Sequence, residues 1–256
     1  MTGTDAGAVA QMYDRATSGP LFARYREISE RALRAAFPGG ARVLDVGCGT
    51  GVEAVNLARR GVCVIVVDVV PGMVGAALSR ATAAGVGDLV EGRAMAARDL
   101  GTLADELGER ALDGAYSSFG ALNCEVDLAP VAGALGRLLR PGAPLLMSVL
   151  GPACLWEMAV YAATLRPGRA LRRLSPQRAP IAGRPFDVRY HSMGALERAF
   201  APSFRVTSVR GYGLLPPPYL EDVASRFPRF LDMAAARDVA PLRRLGDHLF
   251  VTMERL

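Results

Sequence analysis

The chain is 256 residues long, 51% hydrophobic and 21% charged, the balance of a folded globular protein rather than a disordered, collagenous or coiled-coil one. Its thirty basic residues are all arginine, against twenty-five acids, for a net charge of +5. Without a lysine amine, Schiff-base catalysis, pyridoxal-phosphate attachment and the Walker-type phosphate loop are excluded.

The basic surplus is local. Seven arginines lie between positions 166 and 189 with Asp187 as the single acid, so the broad basic face of a nucleic-acid or membrane binder is not expected. Cys48, Cys63, Cys124 and Cys154 show no Cys-x-x-Cys spacing, which argues against a zinc site or a disulfide scaffold and for reduced thiols. The first residues carry no basic-then-apolar leader pattern, and no window reaches the roughly 18 apolar residues of a membrane span. The expectation is a cytoplasmic protein.

Residues 5–37 read as helical, with Phe22, Tyr25, Ile28 and Leu33 near three-to-four spacing and a break at Ser18-Gly19-Pro20. They form an expected helical cap, residues 1–40, ahead of a core spanning 41–256. Residues 42–46 are a short apolar run, 51–60 are helical, and 62–67 are an unbroken apolar, mostly β-branched run ending at Asp68. A strand apolar on both faces belongs to a parallel sheet with helices packed on each side. The alternation continues with helices near 73–84, 103–107 and 130–139 and strands near 88–92, 114–118 and 144–150, which makes an open doubly wound sheet. Beyond Gly151 the rhythm breaks. A helix at 153–165, an Arg- and Pro-rich stretch and a segment ending in a helix capped by Ser192 make 151–192 an expected lid inserted into the core. Strands at 204–212 and 248–254, with a helical stretch at 219–236 between them, close the sheet as an antiparallel pair.

The segment Val43-Leu44-Asp45-Val46-Gly47-Cys48-Gly49-Thr50-Gly51 ends the first strand and starts the first core helix. Its glycines permit a tight turn and close backbone approach to a ligand at the helix amino terminus. Seventeen residues after Gly51, at the end of the second strand, comes Asp68, a carboxylate suited to accept two ribose hydroxyls. Gly49-x-Gly51-x-x-Ala54 also satisfies the looser dinucleotide fingerprint, so a nicotinamide-dependent oxidoreductase stays open as an alternative.

With its glycine motif, Asp68, and the Leu139-Arg140-Pro141-Gly142-Ala143 turn before the fifth strand, the sequence resembles the class I S-adenosylmethionine-dependent methyltransferases over roughly residues 40–150. The resemblance implies an α/β, doubly wound, Rossmann-like sheet of seven mostly parallel strands with an antiparallel last strand, the helical cap, and a lid after strand five. It implies S-adenosylmethionine as cofactor and S-adenosylhomocysteine as product. Gly47, Gly49 and Gly51, with Cys48 between them, would back onto the methionine and ribose, Asp45 would order that loop or meet the amino group, Asp68 would hold the ribose, and Val69 and Met73 would flank the adenine. Ser118 and Phe119 follow the fourth strand, where members of the family line the methionine end, and Asn123 is a further polar candidate there. The chain departs from the pattern after the third strand, where Arg93 replaces an acid that contacts the adenine amino group; Ala94, Met95 or Asp99 would substitute.

For methyl transfer itself, His191, Glu157 and Tyr13 are the candidate catalytic groups. His191 equally suits a structural place beside a helix cap, and Glu157 an ion pair with an arginine. His248 suits a hydrogen bond in a turn. Tyr13, Phe22, Trp156, Tyr161, Tyr190 and Tyr219 fall in the cap, lid and carboxyl-terminal part, where they would line a pocket for a small, possibly natural-product, organic acceptor. A non-catalytic S-adenosylmethionine-binding protein and, more weakly, a nucleic-acid methyltransferase remain alternatives, and the oligomeric state stays open.

Overall fold

The computed structural model describes residues 3–181, 184–213 and 240–256. The break at Ser18-Gly19 divides the cap into α1 (Gly3–Ala16) and α2 (Pro20–Ala36), the second started by Pro20 in its first turn. The core then alternates β1 (Arg42–Val46), α3 (Val52–Ala58), β2 (Cys63–Asp68), α4 (Pro71–Ala83), β3 (Val90–Ala94), α5 (Leu100–Leu107), β4 (Gly114–Ser117), α6 (Ala129–Leu138) and β5 (Pro144–Leu150). The insertion contributes α7 (Leu155–Ala163), the single turn α8 (Pro167–Ala170) and a hairpin of β6 (Gln177–Ile181) and β7 (Arg184–Val188). α9 (Met193–Phe200), β8 (Phe204–Tyr212) and β9 (His248–Arg255) follow.

Seven strands form one sheet in the order β3-β2-β1-β4-β5-β9-β8. The pairs from β3 through β5 are parallel, and β9 runs antiparallel to both β5 and β8. This is the expected architecture, with one addition: a hairpin of β6 and β7 within the Arg- and Pro-rich stretch. The helical stretch expected at 219–236, with Tyr219, lies outside the described residues.

The unbroken apolar runs are explained by two cores, one on each face of the sheet. Leu44, Val46, Ile65 and Val67 point into a core closed by α5, α6 and α9, while Val43, Val64 and Val66 point into one closed by α2, α3 and α4. Asp45, alternating with Val43, therefore faces the second core. Each fully buried large side chain, such as Leu33 of α2 or Phe37 at its end, adds roughly 1.5 to 3 kcal/mol of apolar burial. A third, small cluster joins Ala10 of α1 to Val70 and Met73, with Tyr13 and Phe186 packed against it. Strand order reverses between β1 and β4, and the crevice at the carboxyl ends of these strands is where such sheets bind ligands.

Candidate active site

The turn after β1 is shaped by its glycines. Gly47, Gly49 and Gly51 have φ of 78°, 51° and 75°, a region that costs other residues energy. A side chain on Gly47 would run into the Cβ of Ala121, and one on Gly49 would lie 3.3 Å from the Tyr13 ring. Gly51 does different work from that expected. It caps α3, and its missing side chain admits Ala77 of α4, so it sets helix packing and does not line the cavity.

That turn opens onto a cavity of about 830 Å³, its open mouth included, reaching from Tyr13, Gly47 and Gly49 past Asp68, Val69, Met73 and Met95 to Ser118, Phe119 and Leu122. Asp68 stands midway. Its carboxylate accepts the backbone N–H groups of Gly49 at 3.0 Å and Val70 at 2.9 Å; burial pushes its pKa up, partly offset by these two bonds. Ala94 is exposed at the end of β3 and Asp99 lies on the next loop; neither lines the cavity, whereas Met95 and Ala97 do.

Beside the glycine turn a narrow crevice continues from the cavity, walled by Arg26, Asp45, Cys48, Thr50 and Glu53 together with Tyr13 and Ser118. Arg26 of α2 donates to Glu53 of α3 at 3.0 Å. Asp45 is only 2% exposed, and burial, with the charge of Glu53 added, holds its pKa well above the carboxylate range. The same burial raises the Cys48 thiol, which makes it an inert wall of the turn and no nucleophile.

After β4 the chain turns sharply through Phe119 and Gly120, with φ of 54° and 79°. A positive φ at a phenylalanine is strained, and here it brings the Phe119 ring onto the cavity and under the Arg26 guanidinium, 5.5 Å from the ring centroid. Ser118 is also on the cavity, its Oγ 3.5 Å from that of Ser29. Asn123 is not. Its carboxamide bonds Leu150 and Arg189.

Among the expected catalytic groups only Tyr13 reaches the cavity. Burial, followed by the charges of Glu53 and Asp68, lifts its phenol far above the ordinary value, so it is a hydrogen-bond donor and not a base. His191 is 4% exposed and bonds the carbonyl of Glu125 through Nε2 at 2.9 Å. Burial lowers its pKa, and it lies behind the wall. Glu157 is engaged by Arg172 and by Arg173, the latter at 2.7 Å, and Arg173 reaches on to Asp247 at 2.5 Å. This ion-paired group lies away from the cavity, with Tyr190 5.0 Å from the Arg173 guanidinium carbon. His248 opens β9 with its Nδ1 3.0 Å from the Asp247 carboxylate, a contact without the geometry of the hydrogen bond expected of it.

The expected aromatic lining is corrected in the same way. Phe22 stands behind Phe119 at 6.2 Å between ring centroids, and Trp156, Tyr161 and Tyr190 do not line the cavity. The lid aromatic that does is Phe186 of β7. Sequence reasoning also missed Arg26, Glu53, Cys124 and Glu125, whose placement depends on elements far apart in the chain. Among the described residues no group of three His, Cys, Asp or Glu side chains is placed to hold a metal ion, and no helix is long and apolar enough to cross a membrane.

Residues 43–142 match a family described as a methyltransferase domain. The chain is 34% identical over 119 residues to the ubiquinone biosynthesis O-methyltransferase of Xanthomonas axonopodis pv. citri (strain 306), an alignment covering 44% of each protein. It thus spans less than half the length of the first curated relatives it matches. In structure it resembles a putative S-adenosylmethionine-dependent methyltransferase from Listeria monocytogenes, with a TM-score of 0.61 at 17% identity over 90% of this chain and 98% of that one. A structure described under the conversion of a disulfide bond into a thioacetal group during echinomycin biosynthesis aligns with a TM-score of 0.53 at 25% identity, covering 89% and 81% of the two chains.

Proposed function

From the match of residues 43–142 to a methyltransferase domain and the geometry of the cavity, we propose that the chain is a class I S-adenosylmethionine-dependent methyltransferase and moves a methyl group from S-adenosylmethionine to a nucleophilic oxygen, nitrogen or carbon of a small, largely apolar organic acceptor. The observation that carries this reading is the charge pattern of the crevice beside the glycine turn, where Asp45 and Glu53 supply carboxylates and Arg26 a guanidinium. An α-amino acid brings the complementary pair, an ammonium and a carboxylate. Asp45, deprived of water, gains most from an arriving ammonium. Arg26 matches the carboxylate.

The rest of the cavity fits the remaining parts of that molecule. Gly47 and Gly49 leave room for close approach, Asp68 offers two oxygens to the ribose hydroxyls, and Val69 and Met73 offer apolar faces to the base. When bound, S-adenosylmethionine supplies a methyl group on a sulfonium that a nucleophile displaces in line. The contribution of this chain is then positioning, which can lower such a barrier by roughly 7 to 11 kcal/mol. Phe119 and Phe186 leave the acceptor an apolar wall, with Ser118 as its polar point. Tyr13, held protonated, donates a hydrogen bond there and takes no proton. The relatives named as O-methyltransferases favour oxygen as the attacking atom.

Calorimetric titration with S-adenosylhomocysteine, NADH and NADPH tests the reading, on the native chain and on Asp68→Ala. Saturable binding of S-adenosylhomocysteine, weakened about tenfold or more in the variant, is expected; binding of a nicotinamide cofactor in its place overturns it. Labelled-methyl transfer to a panel of phenols, carboxylates and amines then separates an enzyme from a protein that only binds the cofactor.

A further inference from the structure

With the ribose on Asp68 and the amino-acid end beside Asp45, the adenine is left with the part of the cavity between Val69, Met95, Ala97 and Leu122. These side chains are apolar. A 6-aminopurine buried there carries an amino group that loses its water and needs an acceptor. The residue standing where the family carries an acid, Arg93, has its guanidinium turned outward to Glu106 at 2.7 Å.

Glu125 comes from the other wall of the same space. It follows the turn after β4, it lines the cavity, and its side chain is only 10% exposed. One carboxylate oxygen accepts the backbone N–H of Arg98 at 3.4 Å and the other faces the Arg98 guanidinium at 3.3 Å, which holds the group against the loop that carries Ala97. A carboxylate has about four acceptor positions, so two stay available. Its backbone is fixed as well, the N–H to Leu122 at 3.2 Å and the carbonyl to His191 at 2.9 Å.

We propose that Glu125 accepts the exocyclic amino group of the adenine, replacing from the β4 side an acid that the family places after β3. The assignment rests on the cofactor reading above.

Competition between S-adenosylhomocysteine and S-inosylhomocysteine, which carries an oxo group in place of the amino group, tests the proposal. The native chain is expected to prefer the adenosyl compound by about 10- to 100-fold, the range for a hydrogen bond to a charged group. The near-isosteric Glu125→Gln, whose amide also donates, is expected to bring that preference to within about threefold. Native chain that binds S-adenosylhomocysteine without preferring it, or Glu125→Gln that keeps the native preference, overturns the assignment while leaving the cofactor reading intact. Failure of the native chain to bind either compound overturns both.

Discussion

The Asn123 carboxamide donates to the carbonyl of Arg189 at 2.7 Å and to that of Leu150 at 2.9 Å, while its oxygen accepts the Leu150 N–H at 2.8 Å. Leu150 ends β5 and Arg189 follows β7, so one buried side chain ties both ends of the segment 151–188 to the turn after β4.

Asn123→Ala is expected to cost about 1 to 3 kcal/mol, because it removes the side-chain partner of three part-buried backbone groups. Urea unfolding measures the loss. Trypsin provides a second readout, since the arginines between 166 and 178 should be cut faster in the variant than in the native chain; equal stability and equal cleavage would show that the clasp does not hold the lid.

Asp45→Asn is expected to raise the melting temperature of the ligand-free protein at neutral pH. The folded-state pKa of Asp45 is raised by burial, so its charge opposes folding at neutral pH, and the penalty disappears as the pH falls and the carboxyl is protonated in both states. The difference between variant and native chain should therefore shrink toward acid pH. The stabilisation by S-adenosylhomocysteine should also be smaller in the variant, having lost the partner of the ammonium.

Asp247 behaves in the opposite sense. Burial alone would raise its pKa, but His248 and Arg173 overcome this and hold it at about 2. Against an unfolded value of about 3.9, the shift stabilises the fold by roughly 2 to 3 kcal/mol at neutral pH. That contribution is complete above the unfolded value and is lost as the pH falls toward the folded one. The gap in unfolding free energy between the native chain and Asp247→Asn should accordingly narrow between about pH 5 and pH 2; a constant gap would contradict the pairing.

Tyr13 lies on the cavity with its phenol raised above the ordinary value of 10.0. In a difference titration of tyrosinate absorbance, native chain minus Tyr13→Phe, no step is expected at or below that value. A step there would restore the phenol as a candidate base.

The elements readable in the sequence were those whose chemistry is local. Gly47 to Gly51 must turn wherever they occur, Asp68 ends a strand apolar on both faces, and Ser192 caps α9 by accepting the Ala195 N–H. The hairpin of β6 and β7 escaped because Arg178, Pro180, Arg184 and Pro185 break the apolar alternation that marks a buried strand, and proline is tolerated in a two-stranded ribbon with free edges. Asn123, Glu125, Phe186 and Arg26 escaped for another reason. Each takes its meaning from a partner 27 or more positions away, a distance at which residue type and spacing carry no signal.

The small cluster where Ala10 and Tyr13 of α1 meet Phe186 of β7 is separate from the two cores that hold the sheet. Segments far apart in the chain thus share a roof that rests on α4, where Asp14 of α1 also accepts from Thr50 and Arg80, and amide exchange should release the hairpin well before the central strands. The same separation gives the molecule an inheritance in two parts: substitutions can remodel the roof and the guests it admits without a debt to the stability of the sheet below.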